Sequence, residues 1–123
     1  KNKLNKNNAL LELLIEKSAI ANKLIVPTNK GLSFIAFDKV MHIEGYDGYT
    51  RIHLTGNSEI ISSYNIGKYE KMIDDNFFKC HKSHIINLQK ITAFEKEGFI
   101  ILEGEKRVPV SKTKRKEFID LFS

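Results

Sequence analysis

From Lys23 onward the chain is written in short runs that suit strands. KLIVP, LSFIAF, VMHIEGY, YTRIHLT and SEIISS are each rich in Ile, Val, Phe, Tyr or Thr. PTNKG, DK, DG and GN lie between them, and these are turn signals. Strands of this length at this spacing predict an antiparallel sheet protein. TRIHL and SEIIS, separated by Thr55–Asn57, alternate as the arms of a hairpin do.

The pattern breaks at NIGKYEKMIDD, residues 65–75. Ile66, Tyr69 and Ile73 fall on one helical face, and Ser62 or Ser63 can cap the start, which predicts a short helix. Strand texture returns in FFKC, IINLQKITAFEKE, FIILEG and KRVPV, with hairpin turns expected at Glu97–Gly98 and Gly104–Glu105. Ser111 can cap a last helix, SKTKRKEFIDLF, whose apolar face would be Phe118, Leu121 and Phe122. Lys114, Arg115 and Lys116 crowd its first turns. Positive charge there opposes the helix dipole, and a local rule broken in this way often marks function. Ahead of Asn22, Leu10, Leu13, Leu14 and Ala21, widened by Leu11 and Ile15, have helical spacing. This helix either lies on the domain's own core, ends a linker or forms a dimer seam. The linker is favoured, so residues 1–21 are assigned as a linker or N-terminal helix and 22–123 as the domain proper.

A chain of 123 residues is one domain by length and can bury a real core. Its net charge of +5 favours a polyanionic partner, nucleic acid or an anionic surface. Cys80 is the only cysteine, so no internal disulfide can form, which fits a reducing, cytoplasmic setting. Glu12 and Glu16 interrupt the one apolar stretch near the start, so it is neither a signal peptide nor a membrane span. The chain starts at a Lys, as a piece of a longer protein would.

FFKCHKSHIIN, residues 77–87, gathers Cys80, His81, Ser83 and His84. As a metal site it fails on ligand count. His81 and His84 are three apart, which suits a helix rather than a strand; no second Cys/His cluster exists; and His42 and His53 are scattered on separate strands. A thiol nucleophile would need an orienting group and an oxyanion site, and neither pattern is present. Cys80 alternates with Phe78 and reads as a small core residue. With no phosphate-binding glycine loop and no acid/base carboxylate pair, no enzyme, cofactor or metal is expected. Binding fits better. Lys79, His81, Lys82 and His84 leave a strand where a turn begins at Lys82–Ser83, and they offer donors and positive charge to phosphates and base edges. The run from Lys106 to Lys116 holds six Lys or Arg and no acid, and YDGYT (46–50) makes a third polar corner with Gly48 at its tip. Two basic loops together with the net charge favour nucleic acid. The rival is a basic β module that meets an acidic protein partner or RNA. RNA readers tend to display aromatics, and here only Tyr46 and Tyr49 lie at a loop.

FFKCHKSHIINLQKI, followed about twenty residues later by VPVSKTKRKEF, resembles the LytTR family of bacterial DNA-binding domains. IEGYDGYTRIHL and NIGKYEKMI fit the same family, so the likeness covers roughly residues 22 to 122. It implies a mainly β fold: an elongated, antiparallel β domain with short helices, preceded here by the N-terminal helix. It also implies a double-stranded promoter DNA partner, read through loops, with one domain per copy of a paired direct repeat and room for a homodimer on DNA. An upstream receiver domain of a two-component response regulator would precede it, and no membrane is involved. Carried over position by position, the resemblance marks Asp47, Tyr49 and Thr50 in the first loop. It marks His81, Lys82 and Ser83 in the HKS turn, and Lys112, Thr113, Lys114 and Arg115 after VPVS. Many family members have Asn or His near the first loop, where this chain has Asp47-Gly48. Asn87 also matches and can bond the backbone where the strand turns.

Overall fold

The computed structural model describes residues 2–122, with side chains described from Ala9 to Phe122. Helix α1 (Asn2–Ala21) stops at Asn22, which adopts a left-handed φ of 59°. That conformation ends helices, and Asn tolerates it better than most residues. The hairpin β1 (Lys23–Thr28) and β2 (Gly31–Ala36) follows as a separate two-stranded sheet. Then come β3 (Val40–Tyr46), β4 (Tyr49–Leu54), β5 (Ser58–Ser62), the short α2 (Ile66–Glu70), β6 (Phe77–His81) and β7 (His84–Asn87). These five strands form one antiparallel sheet in the order β5-β4-β3-β7-β6. The chain closes with β8 (Ile91–Glu95), β9 (Phe99–Leu102), β10 (Lys106–Pro109) and α3 (Lys112–Asp120), the three strands forming an antiparallel sheet that, beside the two-stranded hairpin, is the second sheet facing the central one. The domain is thus mainly β, as its alternation predicts.

Successive side chains on a strand face opposite ways, so the Phe-Phe and Ile-Ile pairs of β6 and β7 serve two cores at once. Ile85, Phe77, Ile43 and Ile52 pack with α1, β1 and α2 through Ile15, Leu24, Ile25, Val26, Tyr69 and Met72. Ile86, Phe78, Met41 and Cys80 pack with the second sheet and α3 through Ile100, Leu102, Val108, Val110 and Phe118. Helix α1 lies on the domain's own core: Ile15 is buried, and the Ser18 hydroxyl is within hydrogen-bond distance of the Ile15 and Met72 carbonyls. Leu10, Leu13 and Leu14 stay exposed.

Three local expectations need correction. The short helix is capped by Asn65, whose side chain accepts from the Lys68 amide at 3.0 Å, and not by Ser62 or Ser63. Ser62 is buried and holds the Tyr69 phenol at 2.6 Å instead. The stretch IINLQKITAFEKE is two strands rather than one, broken by a helical turn at Leu88–Lys90. Asn87 causes the break: its carboxamide oxygen accepts from the Gln89 amide, while its nitrogen donates to the Phe37 and Val40 carbonyls at 3.1 and 2.8 Å. On α3 only Phe118 is buried; Leu121 and Phe122 remain exposed beyond the helix end.

Candidate nucleic-acid interface

The loop between β3 and β4 is the tightest kind of hairpin. Asp47 and Gly48 are its two central residues, and both have positive φ, 47° and 87°. Such turns match the twist of the strands they join, and Asp-Gly is a preferred filling. The turn holds Asp47 exposed at the tip. Tyr49 pairs across the hairpin with Tyr46, ring edge to ring face at 5.4 Å, and the Arg51 guanidinium lies over the Tyr46 ring.

Main-chain bonds bring the other two loops to this one. The Gly45 amide, just ahead of the Asp47 turn, donates to the Ser83 carbonyl at 2.8 Å. The Ser111 amide, just ahead of α3, donates to the Cys80 carbonyl at 2.9 Å. The turn at Lys82–Ser83 therefore sits between the β3–β4 corner and the start of α3. An open groove of about 510 Å³ runs between the turn and the helix, lined by Lys79, His81, Lys82, Ser111, Thr113 and Lys114, with Glu70 at its side.

The side chains divide by what already holds them. Lys79 is paired to Glu70 at 2.8 Å, Lys114 to Glu117 at 3.3 Å and Lys116 to Asp120 at 2.9 Å. Among the described residues, Lys82 and Lys112 are exposed and have neither an ion pair nor a side-chain hydrogen bond. Ser111 precedes α3 without a side-chain cap, its hydroxyl lying 3.4 Å from the Thr113 hydroxyl. The first amides of a helix are unsatisfied donors, and with two free ammonium groups nearby they suit an anionic oxygen.

Two of the ten candidates are committed elsewhere. Thr50 is fully buried and its hydroxyl donates to the Tyr64 carbonyl at 2.7 Å, so its side chain cannot reach a ligand. Arg115 folds against the turn between β8 and β9, donating to the Glu97 carbonyl at 3.3 Å. Gly98 has φ 101° there, and a Cβ on it would collide with that guanidinium. Both departures depend on long-range packing that loop position alone does not reveal. Cys80 is buried, its thiol pushed up to about 12 by burial, which suits packing and not redox chemistry. His81 turns back on its own loop, its Nδ1 accepting from the Ser83 amide at 3.2 Å. Sequence reasoning places His84 at the turn but misses its partner: it shares a 2.8 Å hydrogen bond with the buried His42. Only the pairing of β3 with β7 could reveal it.

A β scaffold that offers turns and a helix start to an anionic partner, rather than a recognition helix, defines a distinct class of nucleic-acid-binding module. Comparison with known proteins identifies a family of DNA-binding domains. The family model of the LytTr DNA-binding domain matches residues 30–123, and the chain belongs to that family. A solved LytTr DNA-binding domain of a response regulator from Bacillus cereus is similar to it, with 25% sequence identity and a TM-score of 0.71. The match covers 83% of this chain and 97% of that one. A comparison with curated proteins gave no match. Among the described residues, no helix is long and apolar enough to cross a membrane.

Proposed function

We propose that this domain binds double-stranded promoter DNA sequence-specifically, as the output domain of a bacterial transcription regulator. One observation carries the reading: Lys82 in its turn and Lys112 at the start of α3 project unpaired, and main-chain bonds hold that turn between the Asp47 corner and the helix start. Charged side chains without a partner have no ion pair to break before they turn toward phosphates, and the adjacent Asp47, Tyr49, Ser83 and Thr113 can meet base edges. Lys114 can exchange its exposed partner Glu117 for a phosphate at little cost, since such surface pairs are weak. The similar domain from Bacillus cereus belongs to a response regulator, which supports a receiver domain ahead of α1 and a cytoplasmic setting. Two domains side by side on direct repeats, with or without dimer contacts, are the arrangement we favour.

RNA is the weaker partner, because the loop tyrosines that could stack on bases are engaged by each other and by Arg51. The test is selection from random-sequence duplexes at several salt concentrations. The expected result is a repeated motif with a steep log–log salt slope. A steep slope without a motif would leave only electrostatic attachment, and no binding at low salt would refute the reading.

A further inference from the structure

Four neighbouring strands of the central sheet each contribute one histidine to a single row. In the sheet's own order these are His81 on β6, His84 on β7, His42 on β3 and His53 on β4. They are all the histidines of the chain. Successive ring centroids lie 5.1, 5.0 and 4.8 Å apart. The row starts at the Lys82–Ser83 turn and ends against the second sheet, where Lys106 Nζ lies 2.8 Å from His53 Nδ1.

The partners fix where each proton sits. An ammonium can only donate, so His53 Nδ1 accepts from Lys106 and His53 Nε2 donates to Glu44 Oε1 at 2.9 Å. A backbone amide can only donate, so His81 Nδ1 accepts from Ser83. His42 and His84 share one proton between Nε2 and Nδ1 at 2.8 Å, and the other nitrogen of His42 is buried without a partner. Orphaned buried N–H groups are rarer than orphaned acceptors, so the unpartnered nitrogen is bare and His42 donates to His84. Both histidines that flank the turn are therefore acceptors at Nδ1. The 2.8 Å separation is a hydrogen bond; two nitrogens on one zinc, each at about 2.0–2.1 Å in tetrahedral geometry, lie farther apart.

We propose that this row positions the DNA-reading turn: His81 and His84, as Nδ1 acceptors, hold Lys82 and Ser83 in place, and protonating His84 releases the turn. This rests on the DNA reading above. The charges facing the row are Glu44 on β3, Arg51 on β4, Glu59 on β5 and Lys106 on β10. At the turn end Lys79, Glu70 and Lys114 share the groove with His81. Burial lowers the pKa of His84, with Glu44 opposing and His81 and His53 adding to the fall. Neutral imidazole is thus the resting state of this position.

Acid then acts on DNA binding in two opposite ways. A charged imidazole attracts phosphate in any duplex. Loss of the acceptor frees the turn and removes discrimination between duplexes. The ratio of affinities for a selected duplex and a scrambled one of equal length isolates the second effect, since the general attraction cancels. That ratio should fall by about tenfold per pH unit for one linked proton, once the pH drops below the point at which His84 charges. His42→Phe, which keeps the ring stack and removes the donor to His84, should lower the ratio at neutral pH and flatten its pH dependence. Independently of DNA or of the variant's folding, long-range 1H–15N spectra of the free domain at neutral pH should show Nε2–H tautomers for all four histidines. An Nδ1–H tautomer at His81 or His84, or a ratio that holds or rises in acid, would overturn the positioning role while leaving DNA binding intact. Correct tautomers in a domain that treats both duplexes alike at every pH would overturn the DNA reading instead.

Discussion

Acid should unfold this domain earlier than its carboxylates alone would make it, because His42 must stay neutral to stay buried. The residue is 3% exposed, its ring stacked between those of His53 and His84. Burial first, then the nearby His53, His84 and Lys106, push its pKa from 6.5 down to about 2. In the unfolded chain the imidazole returns to its ordinary value. Between these two values the unfolded state binds a proton that the folded state refuses. The contribution is fully present above the ordinary histidine value and is lost as pH falls from there. The loss is about 1.4 kcal/mol per pH unit, so at about pH 5 it reaches ~2 kcal/mol. That is a large share of the 5–15 kcal/mol that holds a typical domain together, roughly speaking. His84, also lowered, acts with the same sign. The assay is urea unfolding at a series of pH values for the wild type and His42→Phe. Carboxylates titrate in both proteins and cancel. The variant's stability should fall less steeply in acid, by about 1.4 kcal/mol per pH unit. Parallel curves would show that His42 is charged, or solvated, in the folded state, and the reasoning would be wrong.

Asn87→Ala should cost about 2–4 kcal/mol in urea unfolding, because the Phe37 and Val40 carbonyls lose their donor inside the structure. The Cys80 thiol, buried and shifted upward, should react with an aromatic disulfide reagent no faster than the domain unfolds, so its rate should follow urea concentration through the unfolding transition. Lys82→Ala and Lys112→Ala should each weaken binding to the selected duplex and reduce the salt slope by about one unit; an unchanged slope would remove that lysine from the phosphate contacts.

Local chemistry was legible in the sequence wherever a turn depends on its own residues. The hairpins at Thr55–Asn57, Glu97–Gly98 and Gly104–Glu105 all form, and Gly56, Asn57, Gly98, Gly104 and Glu105 take the positive φ that such turns require. The family and the three candidate loops followed from motifs of the same local kind. What stayed hidden depends on register and packing. His42 and His53 do stand on separate strands, but directly opposite each other, and β7 brings His84 alongside. No spacing along the chain encodes that meeting. Thr50 resembles a loop residue because it follows Tyr49 at the corner, yet it is strand residue two, facing inward to Tyr64. Asn65 caps the short helix and the serines do not, yet nothing local says that Ser62 is already taken by Tyr69. Arg115 belongs to a basic run by sequence and to the Gly98 turn by contact.

The central sheet has a core on each face, and neighbouring residues of β6 and β7 belong to different ones. Adding or removing a single residue in either strand would send the downstream side chains to the wrong core unless a bulge absorbed it, and β6 already carries one such irregularity between Lys79 and His81. The hairpin tips around residues 29–30, 47–48, 55–57, 96–98 and 103–105 lie outside the strands, where a change of length leaves the two-core alternation of β6 and β7 untouched. Residues 77–81 and 84–87, on either side of the Lys82–Ser83 turn, are thus a segment in which side chains can be exchanged far more cheaply than the strand length can change.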